Sequence, residues 1–257
     1  MLRINKLLTL CATLLLSGLA AANPDIQHWS TNNGARVYFV PAPQLPMVDI
    51  RVTFNAGSAR DGDKPGLAML TNGMLEEGAG KHNADAIAEQ FDNLGASASF
   101  SSLRDMATAS LRSLTDEKLL APAVETFALL LREPSFPDDA LERVRKQMLV
   151  GLRHESQSPG SLGSKAFFKA LYGDHPYASH SSGTMASVLK LSREDLQAYH
   201  QRYYVGNNAV VAIVGAVSRE QAEQLAEQVV GTLPAGKAAP ALPAVAMLED
   251  SSSQHIE

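Results

Sequence analysis

The sequence carries a single cysteine, Cys11, in 257 residues. That excludes a disulfide framework and any zinc site built from cysteine ligands. Aromatic residues are scarce, at 6%, with one tryptophan. There is no basic excess either: 22 Lys and Arg stand against 27 Asp and Glu, a formal net charge of −5. A nucleic-acid binder normally shows a basic stripe, so that class is disfavoured. Beyond the N-terminus no stretch approaches the ~18 consecutive apolar residues of a membrane helix. No G-x-S-x-G elbow, phosphate-binding loop or dinucleotide glycine pattern occurs. Seven histidines are scattered, and no H-x-x-x-H, H-E-x-x-H or H-x-x-E-H spacing links them. What remains is a globular composition, 45% apolar and 19% charged.

The first residues read as a targeting segment. Arg3 and Lys6 form a basic start, Leu7 to Leu19 is almost wholly apolar, and Ala20-Ala21-Ala22 supplies small residues in an A-x-A pattern. This predicts a secretory signal peptide over 1–22, cleaved after Ala22, and a destination outside the cytoplasm, most naturally a periplasm. After cleavage no membrane-spanning segment is expected.

The mature chain mixes strand and helix signals in blocks. Asn32-Asn33-Gly34 marks a turn, after which Ala35 to Val40 reads as a strand. Met47 to Phe54 alternates apolar and polar residues, the pattern of a half-buried strand. Gly57 to Gly62 reads as a loop and Pro65 to Leu75 as a helix. Ala84 to Leu94 reads as a second helix, with Asn83 as N-cap. Ala96 to Leu103 and Met106 to Leu114 predict paired strands. Helices follow over Glu117 to Leu131, Asp138 to Glu155 and Ser161 to Tyr172. The second of these places Leu141, Val144, Met148 and Leu152 on one face. Ser192-x-x-Asp195 and Ser218-x-x-Gln221 have the spacing of capping boxes. Between them Ala209 to Val214 is a continuous apolar run, read as a buried strand. The blocks predict an α+β fold, helices packed on a mostly antiparallel sheet, in one domain over 23–233. From 234 to 257 an Ala/Pro-rich stretch reads as a linker leading to a second domain that the chain lacks.

The residues alone offer little chemistry. His175 and His180 share a loop and could form half a metal site. Glu76-Glu77 follow a helix and read as a solvated acidic pair. His154 and Glu155 are adjacent, so on a helix they point about 100° apart and cannot chelate one ion well.

The order of short motifs nevertheless resembles the pitrilysin/insulinase family of zinc peptidases, in its processing-peptidase-like branch. The carrying residues are Asn33-Gly34-x-x-Val37, Pro46-x-Val48, Ala56-Gly57-Ser58-x-x-Asp61, Gly66-Leu67-Ala68 and Met74-Leu75. Gly95, Arg104-Asp105, Phe136-Pro137, His175-Pro176-Tyr177 and Asn207-Asn208 continue the series to Gly215. In the family, Gly-Leu-Ala is followed by H-x-x-E-H on a helix, two zinc ligands around a general base, with a third ligand, a glutamate, somewhat over seventy residues on. Aligned without gaps, the first histidine falls on Met69, the base on Asn72, the second histidine on Gly73 and the third ligand near Val150. Thioether, amide and glycine supply neither a zinc ligand of the right kind nor a base.

The resemblance therefore implies a non-catalytic member holding no zinc itself. It implies a related catalytic zinc-peptidase subunit as partner, with the zinc there, and a peptide as the shared substrate. It also implies that Ala98, Ser99, Phe100, Ser101 and Ser102 form a strand against which an extended peptide could pair. Two further readings stay open: a zinc-dependent endopeptidase with an atypical site including His175 or His180, and a peptide-binding or scaffold protein of the envelope.

Overall fold

A computed structural model describes residues 25–247. The expected leader over 1–22 and the final residues 248–257 lie outside the described residues. The strands are β1 (Gln27–Ser30), β2 (Arg36–Pro41), β3 (Met47–Phe54), the two-residue β4 (Gly78–Ala79) and β5 (His82–Asn83), then β6 (Ser97–Ser102), β7 (Ala107–Leu114) and β8 (Ala209–Gly215). The helices are α1 (Leu67–Gly73), α2 (Ala84–Leu94), α3 (Glu117–Arg132), α4 (Asp138–Glu155), α5 (Pro159–Tyr172), α6 (Met185–Val188), α7 (Arg193–Tyr203) and α8 (Arg219–Val230).

The main sheet runs β1-β2-β8-β3-β7-β6. Every pairing is antiparallel except β2 with β8, so the fold is α+β with a mostly antiparallel sheet. The alternation in β3 is realised directly: Val48, Ile50, Val52 and Phe54 are at most 1% exposed. Each such side chain contributes roughly 1.5–3 kcal/mol by burial. The same face continues through Val37 and Phe39, Ala209, Val211 and Ile213, and Ala107, Ala109 and Leu111, and α3 and α8 pack against it. The opposite face is open. There Asp49 faces Arg112 across β3 and β7, with Arg112 Nε 2.7 Å from Asp49 Oδ1. Both are too exposed for the pair to add much stability.

Several boundaries differ from the sequence reading, each for a local reason. The helix expected from Pro65 to Leu75 is only Leu67–Gly73, because Gly66 sits at φ +96° and starts the helix from a left-handed position. The loop from Gly57 to Gly62 contains a 3-10 turn at Ser58–Arg60. Helix α5 begins at Pro159, capped by the Ser158 hydroxyl. The apolar run in β8 is buried on one face only, leaving Val214 42% exposed. Strand β1 escaped the sequence reading, being four residues with no full alternation. Both expected capping boxes are present, at Ser192/Asp195 and Ser218/Gln221.

Over its described residues, 234–247, the Ala/Pro-rich stretch has no regular structure but is tied down. Gly206 N–H donates to Pro234 O at 2.8 Å, Asn207 N–H to Ala235 O at 2.9 Å, and Ala239 N–H to Asn208 Oδ1 at 3.0 Å. Across the fold, Asn33 Nδ2 donates to Val230 O and Leu233 O at 2.7 and 2.9 Å. Asn207 Nδ2 also donates to Gly236 O at 2.9 Å, so the side-chain amides of Asn33, Asn207 and Asn208 all serve backbone groups of irregular chain that no ladder satisfies.

His200, 8% exposed, sits under this core. Its Nε2 lies 2.8 Å from Leu131 O, and its ring stacks on Tyr204 with centroids 4.9 Å apart. Burial pushes its pKa from 6.5 down to about 4, partly opposed by the Leu131 bond. Between those values the unfolded chain binds more protons than the native one, so this residue's contribution is present above pH 6.5 and is lost as pH falls to 4. The size is about 3 kcal/mol. Burial pushes Asp61 up to about 7 against its two backbone hydrogen bonds, giving the opposite slope between its unfolded value and 7. The wild-type curve therefore mixes the two. The difference in stability between wild type and His200→Gln, which keeps a donor for Leu131, should shift by about 3 kcal/mol from pH 7 to 4 in urea titrations. A constant difference would remove this assignment.

Candidate functional site

Helix α1 is the centre of the region to which the motif series points. It packs on β6, α7 and α4. Its N-terminus is held by the buried Asp61 carboxylate, which accepts from Gly66 N–H at 2.7 Å and Ala68 N–H at 2.8 Å. Asn72 is 2% exposed, and its Nδ2 donates to Tyr204 Oη at 3.3 Å. Burial raises the Tyr204 pKa, so its hydroxyl stays neutral. Asn72 thus does structural work where a general base would need water. Met69 is half-buried, and a Cβ added to Gly73 would meet only Val144 Cγ1, at 3.8 Å.

Helices α1 and α4 touch. Gly73 lies against Val144, while Pro65 and Leu152 line one cleft. Met148 shares the buried stripe with Leu141, Val144 and Leu152. Val150 does not: it is 52% exposed. From Met148 to Gly151, the stretch that holds the expected third-ligand place at Val150, α4 carries no carboxylate.

Strand β6 lies at the end of the sheet, paired on one side only. Ala98 and Phe100 turn inward against the core, Phe100 with its ring centroid 6.3 Å from that of Phe127. Ser99 and Ser101 turn outward, and Ser101 Oγ lies 3.1 Å from Thr108 Oγ1. Every second residue of such an edge directs its N–H and C=O away from β7, the requirement for adding a strand. Beside it a cleft of about 700 Å³ is lined by Ala98 and Phe100 and by Glu76, Glu77, Asp85 and Arg143. Glu77 is engaged by both terminal nitrogens of Arg143. Burial, then Glu77, raises the Glu76 pKa.

The remaining ionisable residues have local tasks. His175 has both ring nitrogens engaged: Nδ1 accepts from Tyr177 N–H at 3.1 Å and Nε2 lies 2.9 Å from Pro243 O. His180 Nδ1 accepts from Ser182 N–H at 3.4 Å and lies 3.6 Å from Glu155 Oε2. His154 is exposed. Among the described residues no three His, Cys, Asp or Glu side chains converge on a common point. The structure does not bring His175 and His180 together with a third ligand. Arg104-Asp105 and His175-Pro176-Tyr177 do meet: Arg104 Nη1 donates to Tyr177 O at 2.6 Å, and Tyr177 Oη to Asp105 Oδ1 at 2.5 Å. Tyr204 was missed from sequence. A buried tyrosine facing α1 from beyond α7 has no local sequence signal.

Known proteins share this architecture. A family model described as Insulinase (Peptidase family M16) matches residues 36–185, and one described as Peptidase M16 inactive domain matches residues 190–255. The non-peptidase homolog YmxG of Helicobacter pylori is 27% identical over 195 residues, 76% of this chain and 45% of that protein. Subunit 1 of the mitochondrial cytochrome b-c1 complex of Bos taurus is 25% identical over 206 residues, 80% of this chain and 42% of its own. A crystal structure of a peptidase M16 inactive domain from Pseudomonas fluorescens superposes with a TM-score of 0.85 at 44% identity, covering 86% of this chain and 54% of that one. The chain spans about half the length of the curated relatives it matches.

Proposed function

The chain belongs to the insulinase family of peptidases, family M16, and from that premise we propose that it is a non-catalytic member working beside a related zinc-bearing subunit in a periplasm. The carrying observation is α1. At the positions of the family's two histidines and base it holds Met69, Gly73 and Asn72, and the amide of Asn72 is committed to Tyr204. A zinc site of the family's kind needs two imidazoles and a carboxylate. Met69, Gly73, Met148 and Val150 do not fit that metal, so no hydrolytic step is assigned to this chain. The relatives called a non-peptidase homolog and an inactive domain support the same reading.

What the chain retains is the means to hold peptide. The free edge of β6, from Ala98 to Ser102, presents backbone donors and acceptors that an extended chain can pair with. A catalytic partner would supply the zinc, and this chain the wall and the peptide contacts. Affinity purification from the native source is the test. A related chain with intact H-x-x-E-H should co-purify and cleave peptides faster with this chain present. Recovery from the envelope fraction without any such relative would overturn the partner role.

A further inference from the structure

A second cleft, of about 370 Å³, opens between the end of α4, α5 and the segment 178–185. It lies apart from β6. Its walls divide into two kinds. Pro65, Leu152, Phe168 and Met185 make an apolar side. Arg104, Lys165 and His180 make a side of nitrogen donors. The Arg104 guanidinium lies 3.9 Å above the Phe168 ring, which fixes its plane while leaving its edge for hydrogen bonding. Its Nη1 serves Tyr177 O, and a guanidinium has further donors to offer.

The charges in this cleft do not cancel. Glu155 is the acidic neighbour, and three groups already hold it. Lys165 Nζ lies 2.8 Å from Oε2, Ser182 Oγ donates to Oε1 at 2.9 Å, and His180 Nδ1 is 3.6 Å from Oε2. Against burial, which pushes the other way, the Lys165 and Ser182 bonds hold the Glu155 carboxyl below its usual range. The lining thus carries two permanent cations, Arg104 and Lys165, and Glu155 pairs with Lys165. Burial, only partly offset by Glu155 and reinforced by Lys165 and Arg104, lowers the His180 pKa. One positive charge is left over beside an apolar wall, with unspent donors on Arg104 and Lys165. That arrangement is matched by a ligand carrying an anion on an apolar body, and the planar fork of arginine suits a carboxylate.

We infer that this cleft binds the carboxylate of a ligand whose adjoining group is apolar, as in the C-terminal residue of a peptide ending in leucine or in a free acylated amino acid. The volume accommodates one such residue. The inference stands whether or not β6 pairs with peptide, since no residue of that strand lines the cleft.

Calorimetric titration of the purified chain tests it with three probes: a pentapeptide ending in leucine, the same peptide as its C-terminal amide, and N-acetyl-leucine. The free acid should bind, and the amide about ten-fold or more weaker, the loss of one charge-assisted contact. N-acetyl-leucine binding as tightly as the peptide identifies a small carboxylate as the occupant. Binding of the peptide alone identifies a chain terminus. Two variants move in opposite directions. Lys165→Met should weaken the free acid about ten-fold, whereas Glu155→Gln, removing the competing carboxylate, should tighten it several-fold. Unchanged circular dichroism in both separates these shifts from misfolding, and the acid-to-amide ratio in wild type stands independently of either variant. Equal affinity for acid and amide, no binding of any probe, or weakening by both substitutions overturns the proposal.

Discussion

Gly57→Ala is expected to cost the domain about 3 kcal/mol or more, a loss at the upper end for single substitutions. An added Cβ would lie 2.4 Å from both Arg104 O and Met106 N. Those are backbone atoms of the turn between β6 and β7, and they cannot rotate away. The approach is close because the chain leaving β3 bonds to that turn: Ser58 N–H donates to Leu103 O at 3.0 Å and Ala59 N–H to Arg104 O at 2.9 Å. Tyr199 Oη adds a bond to Gly57 O at 3.0 Å. Gly151→Ala is the control. It lies on the exposed face of α4 with nothing within 4 Å of an added Cβ, and should stabilise by up to ~1 kcal/mol. Urea titration of both variants gives the two signs. A Gly57→Ala midpoint close to wild type would mean that the β6–β7 turn yields readily.

Rebuilding the zinc chemistry on α1 should have the largest effect on metal affinity. Met69→His, Asn72→Glu and Gly73→His together restore two imidazoles and a carboxylate. The second histidine has room, since Val144 Cγ1 stands 3.8 Å from the new Cβ. Asn72→Glu places a carboxylate in a buried site and breaks the amide bond to Tyr204, costing roughly 2–3 kcal/mol. Two histidines alone should hold zinc weakly. Adding a glutamate on α4, as Val150→Glu at the place expected from sequence or as Met148→Glu on the inward stripe, is expected to tighten zinc on the order of 100-fold at the position that faces the two histidines. Isothermal titration of the two quadruple variants decides between the positions. Tightening by neither would mean that α4 does not hold the third-ligand place.

The elements with strong periodicity could be read from sequence almost to the residue. Helix α2 with its Asn83 cap, α4 and the two capping boxes have local causes: an amphipathic stripe, and a side chain bonding three residues ahead. The α+β class followed from the block order of such elements. The limits of α1 did not, because its start depends on Gly66 at φ +96° and on Asp61 reaching back from a neighbouring turn. The single parallel pairing of β2 with β8 joins strands far apart in the chain, and nothing local encodes it. At the candidate site, Met69, Asn72 and Gly73 could be placed on one helix from sequence, as the structure has them. The partner position on α4 could not. Counting residues along the chain placed it near Val150, which is 52% exposed, and a count alone does not say which face of α4 meets α1. The cleft around Arg104, Lys165 and His180 was hidden for the same reason, being assembled from three separate stretches of chain.

The central claim is that this M16 chain lacks zinc chemistry of its own, and elemental analysis of the purified protein, paired with a peptide-cleavage assay in zinc-containing buffer, tests it most directly. The account predicts zinc far below one ion per chain and no cleavage by the chain alone. Zinc near one ion per chain, with cleavage, both abolished by His175→Ala or His180→Ala, would contradict it.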